Sequence, residues 1–385
     1  MSERPMPHPY APGPLVPGSR IGILGGGQLG RMLATAAAKL GFRVHVFCPS
    51  GEAPAVDVAW RATRANYDDE DALARFADAV DVVTYEFENI PARTVEVLAE
   101  HAEVRPSPLA LATAQDRLAE KTFLRDQGIA TAPYRPIDTA QDLEKAVAEL
   151  GTPCVLKTRR FGYDGKGQVK ITAPGDVAEA FKTLGGETKT AAADGSADLI
   201  LEGFVAFERE VSVVAARGAG GEVRAYDLVE NRHVNHILAE TLAPADVDSE
   251  TALEAGRTAS AIVAALDYVG VIGVEMFLMP QEDGQKSRLI VNEIAPRVHN
   301  SGHWTLDACI VSQFEQHIRA IAGWPLGSPD RHSDAVMTNL IGADAQDWAD
   351  LAGEPAASLT LYGKGEIRPG RKMGHVTRLS PKSSA

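Results

Sequence analysis

The sequence predicts a protein of several domains with mixed α/β and α+β architecture, and three observations support this prediction. The chain has 385 residues, which exceeds the size of one average domain. Between Arg20 and Tyr85 the apolar segments alternate as strand, helix, strand, helix and strand, which is typical of a parallel sheet covered by helices. After Ala130 the pattern changes, and several strands follow one another through polar or glycine-rich turns.

In the N-terminal region, a glycine-rich turn over residues 25–30 connects the first predicted strand to the first predicted helix. The predicted strands are Ile21–Leu24, Phe42–Phe47 and Val80–Tyr85, and the predicted helices are Arg31–Leu40 and Asp68–Ala79. Pro106 and Pro108 mark the end of this region. Ser107 between them is a favourable N-cap, so we expect a helix that begins there and runs to Gly128.

The rest of the chain is predicted to contain both helices and strands. The helices are Leu143–Leu150, Ala252–Leu266 and Leu306–Ile321, and the strands are Cys154–Thr158, Gln168–Thr172, Leu199–Leu201, Glu210–Ala216, Val271–Met279 and Leu289–Ile294. The low-complexity stretch Gly185–Ala197 predicts a loose loop. Pro325 is expected to begin a small C-terminal unit.

Composition and charge argue against several classes of function. The formal net charge of −14 opposes binding of nucleic acid, and no long basic patch offsets it. No apolar run is long enough to span a membrane. Residues 1–19 contain six prolines and no apolar segment of a signal peptide, so we expect a flexible leader. The three widely spaced cysteines favour a reducing cytoplasm over a disulfide scaffold or a cysteine zinc site.

The first glycine-rich turn matches a dinucleotide-binding fingerprint in its context but not in its partner acid. Gly25, Gly27 and Gly30 lie between a predicted strand and a predicted helix. The fingerprint also requires an acid at the end of the second strand, but here the first acid, Glu52, lies beyond that strand. We therefore favour a tight turn whose amide groups bind an anion over an NAD site.

A second glycine-rich segment connects two predicted strands and has the composition of a phosphate-binding flap. Gly162, Gly165 and Gly167 can bring backbone amides close to phosphates, and Lys157 precedes them on the strand. A solvated basic hairpin tip is the alternative interpretation. We favour the flap because the three glycines occur together with a lysine on the preceding strand.

Two acids interrupt apolar strands in a way that predicts a metal site. If the hairpin is symmetric about Gly284, Glu275 and Glu293 are directly opposite, with Cβ atoms roughly 5 Å apart. Two carboxylates at that separation repel unless a cation lies between them, and Mg²⁺ prefers such oxygen ligands. Asn292 adds another oxygen. A register shift of one residue would instead leave one acid facing solvent.

Other polar residues predict a cleft near these acids. Glu202 to Val205 end a strand where a hinge could contact an adenine ring, and Glu210 could accept hydrogen bonds from ribose. His299, His303 and Asp307 have the spacing of a helical zinc site. The intervening residues Asn300 to Gly302 disfavour a helix, so we prefer an anion pocket formed by Arg297 and His299.

These features together resemble the ATP-grasp superfamily. The resemblance rests on Lys157, the flap from Gly162 to Gln168, Glu202, Glu210, Glu275 and the pair Asn292-Glu293. Four longer runs are similar to the N5-carboxyaminoimidazole ribonucleotide synthetase family within that superfamily. They are residues 25–32, 85–89, 162–168 and 299–305.

The family resemblance implies an ATP-grasp fold with defined domain limits. After the leader at 1–19, it implies a Rossmann-like N-terminal domain at 20–113 and an ATP-grasp domain at 114–324. The flap subdomain would occupy about 130–205, and a small β-rich C-terminal domain would occupy 325–385.

The resemblance also implies a reaction in de novo purine (IMP) synthesis. ATP and bicarbonate would form carboxyphosphate, which carboxylates 5-aminoimidazole ribonucleotide to N5-carboxyaminoimidazole ribonucleotide with release of ADP and phosphate. The implied cofactors are ATP and Mg²⁺, with Mn²⁺ as an alternative metal. The implied assembly is a cytoplasmic homodimer. The alternatives are another ATP-grasp carboxylate–amine ligase, an NAD-dependent oxidoreductase, and a non-catalytic nucleotide sensor.

The family's functional residues correspond to named positions of this chain. The resemblance implies catalytic roles for Arg297, His299 and Asp164, and metal binding by Glu275 and Glu293. The implied ATP contacts are Arg117, Lys157, Gly162, Tyr163, Asp164, Gly165, Lys166, Gly167, Gln168, Glu202, Gly203, Phe204, Val205, Glu210, His233, Asn292 and Glu293. The implied contacts of the aminoimidazole substrate are Glu86, Tyr163, Asp164, Lys166, Lys364 and Arg371.

Overall fold

Three β-sheets organise the part of the chain that the computed structural model describes, which is residues 13–49, 51–162, 165–188, 198–280 and 288–383. One sheet belongs to the N-terminal region, one carries the predicted flap, and a larger sheet connects the middle of the chain to its C-terminal strands. Within those ranges, none of the helices combines the length and the apolar character needed to cross a bilayer.

The N-terminal sheet is parallel, as the alternating pattern predicted. Its strands are β1 (Arg20–Leu24), β2 (Arg43–Cys48), β3 (Arg61–Arg64) and β4 (Val82–Tyr85), in the order β3-β2-β1-β4. The accompanying helices are α1 (Gln28–Lys39), α2 (Glu70–Ala77) and α3 (Ala92–His101). Strand β3 and helix α3 were not predicted. Strand β3 has no apolar alternation to reveal it, since it reads Arg-Ala-Thr-Arg.

The helix predicted to run to Gly128 is interrupted. It consists of α4 (Pro108–Gln115) and α5 (Arg117–Asp126), with Asp116 in an extended conformation between them. The Asp116 carboxylate accepts hydrogen bonds from the first amides of α5 and pairs with Arg159 at 2.6 Å. The prediction of one continuous helix was wrong because this side chain caps a new helix.

The flap sheet is antiparallel and has its own apolar core. Its strands are β5 (Tyr134–Ile137), β6 (Cys154–Thr158), β7 (Gln168–Ile171) and β8 (Leu199–Gly203), in the order β5-β8-β6-β7. Helices α6 (Ala140–Leu150) and α7 (Val177–Thr188) pack on it. Helix α7 extends four residues into the loop predicted at 185–197, and the described chain resumes at residue 198.

The largest sheet is antiparallel and contains strands from both the middle and the end of the chain. The strands are β9 (Arg209–Arg217), β10 (Val223–Ala225), β11 (Val229–Val234), β12 (Ile237–Ala243), β13 (Gly270–Leu278), β14 (Leu289–Ala295), β15 (Ser333–Ile341), β16 (Ala357–Leu361) and β17 (Lys372–Pro381). Their order is β14-β13-β9-β11-β12-β15-β17-β16, with β10 beside β9. Because β15 pairs with β12, the strands after residue 325 extend this sheet. The proposed domain limits stay predictions.

Four helices accompany the large sheet, and two of them correct a prediction. They are α8 (Ser249–Ala265), α9 (Thr305–Ala308), α10 (Gln313–Ile321) and α11 (Trp348–Ala352). The helix predicted over 306–321 is divided into α9 and α10. The reason is that the Ser312 hydroxyl accepts a hydrogen bond from Glu315 N and caps a separate helix.

The end of the predicted leader is packed against the body of the protein. The amide of Leu15 donates to the carbonyl of Ala322 at 2.8 Å, and the indole N–H of Trp324 donates to the carbonyl of Leu15 at 2.7 Å. Leu15 also packs on the hydrophobic core. The prediction of a flexible leader is therefore corrected for residues 13–19, and residues 1–12 lie outside the described ranges.

One hydrophobic core joins the N-terminal sheet, helix α10 and the C-terminal strands. It contains Ile21 and Ile23 of β1, Phe314 of α10 and Met337 of β15, each fully buried. The neighbouring Val336 points to the other face of β15 and is 37% exposed. Met337 therefore packs the C-terminal strand β15 into the same core as the N-terminal strand β1.

We predict that Met337→Ala lowers the free energy of unfolding by about 2–5 kcal/mol, because it leaves a cavity in this shared core. Urea denaturation followed by circular dichroism measures the change. Val336→Ala is the matched control on the same strand and should change stability by less than about 1 kcal/mol. Equal losses in the two variants would contradict a core that includes β15.

Candidate active site

A cleft of about 1200 Å³ lies where the three sheets meet, and we call it the central cleft. It brings together most of the residues that the sequence predicted for a functional site. Those that line it are Glu86, Arg117, Lys157, Gly162, Gly165, Lys166, Gln168, Glu202, Gly203, Phe204, Val205, Glu210, His233, Glu275, Asn292, Glu293, Arg297 and His299. Gly167, Lys364 and Arg371 are not among the lining residues, and Tyr163 and Asp164 lie outside the described ranges.

Glu275 and Glu293 are directly opposite each other on β13 and β14, which confirms the predicted register at this pair. The register then shifts by one residue, since Met276 pairs with Val291. Asn292 is thus the extra residue of a β-bulge. The bulge lets Asn292 and Glu293 line the cleft although they are adjacent in sequence.

Each of the two carboxylates is held by a positively polarised partner. Glu275 accepts a hydrogen bond from His299 Nε2 at 2.9 Å, and Glu293 pairs with Arg117 at 3.1 Å. Burial alone would raise the pKa of Glu275, but the hydrogen bond from His299 and the nearby positive charge bring this pKa below its usual range. Glu275 is therefore ionised at neutral pH. Together with the amide oxygen of Asn292, these oxygens suit Mg²⁺, which also takes water and phosphate ligands.

The zinc arrangement suggested by the spacing of His299, His303 and Asp307 does not form. Helix α9 begins only at Thr305, and the ring of His303 is buried against Gln313 and His375. Within the described ranges, no group of three or more His, Cys, Asp or Glu side chains could hold a metal. The anion pocket predicted for Arg297 and His299 stays a prediction.

A buried charge cluster lies under the flap. Lys157 of β6 pairs with Glu202 of β8 at 2.9 Å, and Lys121 of α5 approaches the same carboxylate at 3.5 Å. Burial lowers the pKa of Lys157 although the charge of Glu202 opposes this change. Lys121, which is 1% exposed, was missed because its place on an amphipathic helix does not reveal burial.

Glu120, on the same helix, was also missed. Its carboxylate accepts a hydrogen bond from Ile294 N at 2.6 Å and lies near Glu293. Burial, and then the charge of Glu293, raise the pKa of Glu120 to about 8. This residue is therefore a buried acid that is largely protonated at neutral pH, behind the residues of the cleft.

The backbone amides of the first glycine loop bind a carboxylate of the protein itself, that of Glu86. The carboxylate of Glu86, which follows β4, accepts hydrogen bonds from Gly27 N and, at 2.6 Å, from Gly30 N. Burial raises the pKa of Glu86, although these two amides oppose the change. The prediction of an anion-binding turn is confirmed in this form. The NAD alternative is weakened further because the carboxylate fills the place of a dinucleotide phosphate.

Arg297 is paired with Glu88, an acid that was not among the predicted site residues. Its guanidinium donates to both oxygens of Glu88, including a bond from Nη2 to Oε1 at 3.1 Å. Glu88 is two residues after Glu86. The alternation Glu86-Phe87-Glu88 after a strand was a signal that both acids could point to one side.

The two basic C-terminal residues predicted to bind phosphate have partners within the protein. Lys364 donates to the carbonyl of Lys372 at 2.7 Å, and Arg371 pairs with Glu52. Burial and the charge of Arg371 lower the pKa of Lys364 to about 8, while the charges of Glu52 and Glu86 oppose this. Of the two predicted phosphate ligands, Lys364 therefore lies within electrostatic range of Glu86, whereas Arg371 is held at Glu52.

The other end of the central cleft is aromatic. Phe207 stacks on Phe277 with ring centroids 4.5 Å apart, and Lys170 lies over the ring of Phe204 at 4.1 Å. His233 and Glu210 form a pair at 2.8 Å nearby on β11 and β9. Flat apolar surface beside paired polar groups is suited to a purine ring and its sugar.

We predict that Glu120→Gln flattens part of the dependence of stability on pH. Because the folded-state pKa is raised, the contribution of Glu120 is fully present below about pH 4.5 and is lost as pH rises through about 8. The free energy of unfolding falls by about 1.4 kcal/mol for each pH unit between the unfolded-state and folded-state pKa values. Glutamine keeps the acceptor for Ile294 N but cannot ionise.

The measurement is the melting temperature of wild type and Glu120→Gln between pH 5 and 9. The wild type should lose stability relative to the variant as pH rises through this range. Glu354→Gln is the control, since Glu354 is a partly exposed acid that pairs with Arg378 and does not line the cleft. Parallel curves for wild type and Glu120→Gln would contradict a protonated Glu120.

Comparison with known proteins identifies the family. The ribonucleotide synthetase preATP-grasp domain matches residues 19–115, the ATP-grasp domain matches 122–314, and the phosphoribosylaminoimidazole carboxylase C-terminal domain matches 335–385. The chain is thus an α/β protein with the ATP-grasp fold.

Individual relatives are similar over nearly their whole length. The N5-carboxyaminoimidazole ribonucleotide synthase of Brucella melitensis is 53% identical, over 96% of this chain and 98% of the relative. A synthetase solved as its ADP complex is 41% identical, with a TM-score of 0.88 over 96% of this chain and 94% of that chain. The Aspergillus clavatus synthase solved with ADP and 5-aminoimidazole ribonucleotide is 33% identical, with a TM-score of 0.85 over 95% and 94%. The chain therefore belongs to the N5-carboxyaminoimidazole ribonucleotide synthase family of ATP-grasp ligases.

Proposed function

We propose that the central cleft is where this enzyme phosphorylates bicarbonate with ATP and transfers the carboxyl group to 5-aminoimidazole ribonucleotide. The enzyme is an ATP-dependent carbon–nitrogen ligase, and its product is N5-carboxyaminoimidazole ribonucleotide, an intermediate of purine biosynthesis. One observation supports placing the reaction in this cleft: Glu275 pairs with Glu293 there, and Lys157 and Arg297 line the same cleft.

ATP occupies the side of the cleft formed by the flap sheet and the aromatic residues. The adenine lies near Phe204 and Val205, the ribose near Glu210 and His233, and the phosphates under the flap near Lys157. The solved relatives that contain ADP support a nucleotide site in this fold. Arg117 and the flap residues from Gly162 to Gln168 complete the phosphate contacts.

Glu275, Glu293 and Asn292 hold the magnesium ion, with Mn²⁺ as an alternative. When bound, the metal neutralises charge on the phosphoryl group during its transfer. Two observations support this assignment. The bulge lets the side chains of Asn292 and Glu293 both line the cleft, and the lowered pKa of Glu275 keeps its carboxylate ionised and able to bind a cation. Arg117 orients Glu293 from the other side.

Bicarbonate binds beside Arg297 and His299. A bicarbonate oxygen attacks the γ-phosphorus of ATP, the bond to ADP breaks, and carboxyphosphate forms. The substrate amine then attacks the carboxyl carbon and phosphate leaves. Carboxyphosphate is unstable in water, so the flap has a second purpose, which is to exclude solvent during the two steps.

The aminoimidazole substrate binds at the N-terminal side of the cleft. Its phosphate contacts Lys364 and Arg371, and its polar groups contact Glu86, Tyr163 and Lys166, with Asp164 orienting the attacking amine. The proximity of Lys364 to the buried Glu86 carboxylate supports one continuous site. For Lys364 and Arg371 this requires release of their present partners, the carbonyl of Lys372 and the carboxylate of Glu52.

The proposal also includes three further properties. The enzyme is a homodimer, it is located in the cytoplasm, and its domains have the limits given above. The unpaired, buried thiols of Cys48, Cys154 and Cys309 support a reducing compartment. Sedimentation equilibrium tests the homodimer.

Phosphate release tests the proposed reaction. The purified enzyme is assayed with Mg-ATP, with bicarbonate and 5-aminoimidazole ribonucleotide added singly and together. Release should require bicarbonate and increase when the ribonucleotide is added, and the carboxylated product should incorporate ¹³C from labelled bicarbonate. Release that responds to another carboxylate or amine, and not to these two substrates, would identify a different ATP-grasp ligase.

We predict that Glu293→Gln reduces turnover by on the order of 10²-fold or more, because it removes charge stabilisation at the transferred phosphoryl group. The fold should be retained, since the substitution preserves side-chain shape. Steady-state phosphate release and Mg²⁺ titration of nucleotide binding measure the effect. Glu354→Gln, which breaks the remote pair with Arg378, is the control. Turnover of Glu293→Gln equal to that control would refute the role in metal binding.

A further inference from the structure

A chain of buried hydrogen bonds extends from the large sheet to His299. Thr241 Oγ1 donates to Asn231 Oδ1 at 3.0 Å, and Asn231 Nδ2 donates to Ser212 Oγ at 2.8 Å. Ser212 Oγ donates to Ser301 Oγ at 2.7 Å, and Ser301 Oγ lies 2.8 Å from His299 Nδ1. Four members of this chain are at most 6% exposed, and His299 itself is 8% exposed.

The direction of these bonds determines which ring nitrogen of His299 carries its proton. Because Ser212 donates to Ser301, the Ser301 hydroxyl is free to donate its own hydrogen to Nδ1. The backbone N–H of Ser301, which can act only as a donor, also points at Nδ1 at 3.4 Å. Nδ1 is therefore an acceptor, so the proton resides on Nε2 and is donated to Glu275 at 2.9 Å.

The ring is also held by its backbone and by close packing. Gln313 accepts from His299 N at 2.8 Å and donates to His299 O at 2.7 Å. A side chain at Gly273, two residues before Glu275, would place its Cβ 2.7 Å from the His299 ring. Glycine at this position lets the ring approach β13 closely, so that Nε2 reaches the carboxylate.

We propose that Ser301 and Ser212 are positioning residues that hold the His299 ring with its proton on Nε2 and directed at Glu275. They thereby maintain one orientation of that carboxylate in the cleft. Neither serine lines the cleft, so they act through His299 and not on the substrates. The inference rests on the proposed function only for its kinetic consequence, since the tautomer itself is a property of the free protein.

The tautomer is measured by NMR of the ¹⁵N-histidine-labelled enzyme without substrates. His299 is assigned by the signals that disappear in His299→Gln. In the wild type, the His299 Nδ1 chemical shift should be that of an unprotonated nitrogen and the Nε2 chemical shift that of a protonated one. Ser301→Ala should move both signals toward intermediate values. An unchanged pattern in Ser301→Ala, or a protonated Nδ1 in the wild type, would overturn the proposal.

A matched pair of variants separates hydrogen bonding from packing. Ser212→Thr and Ser212→Val add similar volume to β9, but only threonine keeps the hydroxyl. Ser212→Val and Ser301→Ala should lower kcat about 10-fold, as expected for residues that orient a ligand carboxylate, and leave KM for ATP unchanged. Ser212→Thr should recover most of this loss. Equal kcat for the threonine and valine variants would show a packing role and overturn the proposal.

Ser260→Ala is the background control, since Ser260 bonds only within helix α8, to Gly256 O at 2.8 Å, and should retain wild-type kcat.

The proposed function and the positioning role fail in different ways. If the proposed function is wrong, the wild type releases no bicarbonate-dependent phosphate. If the positioning role is wrong, the ¹⁵N spectra reveal it, and they require no substrate.

Discussion

The pairing of two carboxylates across β13 and β14 is the constraint on which the rest of the central cleft depends. Glu275 and Glu293 face the same space from opposite positions, so they repel each other unless cations or hydrogen-bond donors surround them. Arg117 reaches Glu293 from helix α5, and His299 reaches Glu275 from the segment after β14. Elements that are distant in sequence therefore converge at this pair for an electrostatic reason.

Other charged side chains around this pair of carboxylates are also balanced by partners of opposite charge. Arg297 is balanced by Glu88 from the N-terminal region, and Lys157 is balanced by Glu202 within the flap sheet. The buried Glu120 behind Glu293 avoids a further negative charge by remaining protonated. Because each of these buried charges has a partner on another strand, helix or loop, the same interactions that prepare the cleft also join the parts of the fold.

Sequence reasoning could predict features that repeat at fixed spacing. A hairpin assumed to be symmetric about Gly284 was sufficient to place Glu275 opposite Glu293, but that assumption could not reveal the bulge at Asn292. Glu120 and Lys121 were missed because a buried ionisable residue on a helix looks the same in sequence as a solvated one. The serine chain behind His299 joins residues 89 positions apart, and no local pattern records such a contact.

The carboxylate of Glu86 inside the first glycine loop has a consequence for how this fold can diversify. A loop of this kind ordinarily offers its amides to an external phosphate, but here the amides of Gly27 and Gly30 are already satisfied from within. Any descendant that recruited a dinucleotide would first have to lose Glu86, and with it a buried acid at the proposed substrate end of the cleft. The amides of Gly27 and Gly30 can thus serve either the carboxylate of Glu86 or an external phosphate, but not both at once.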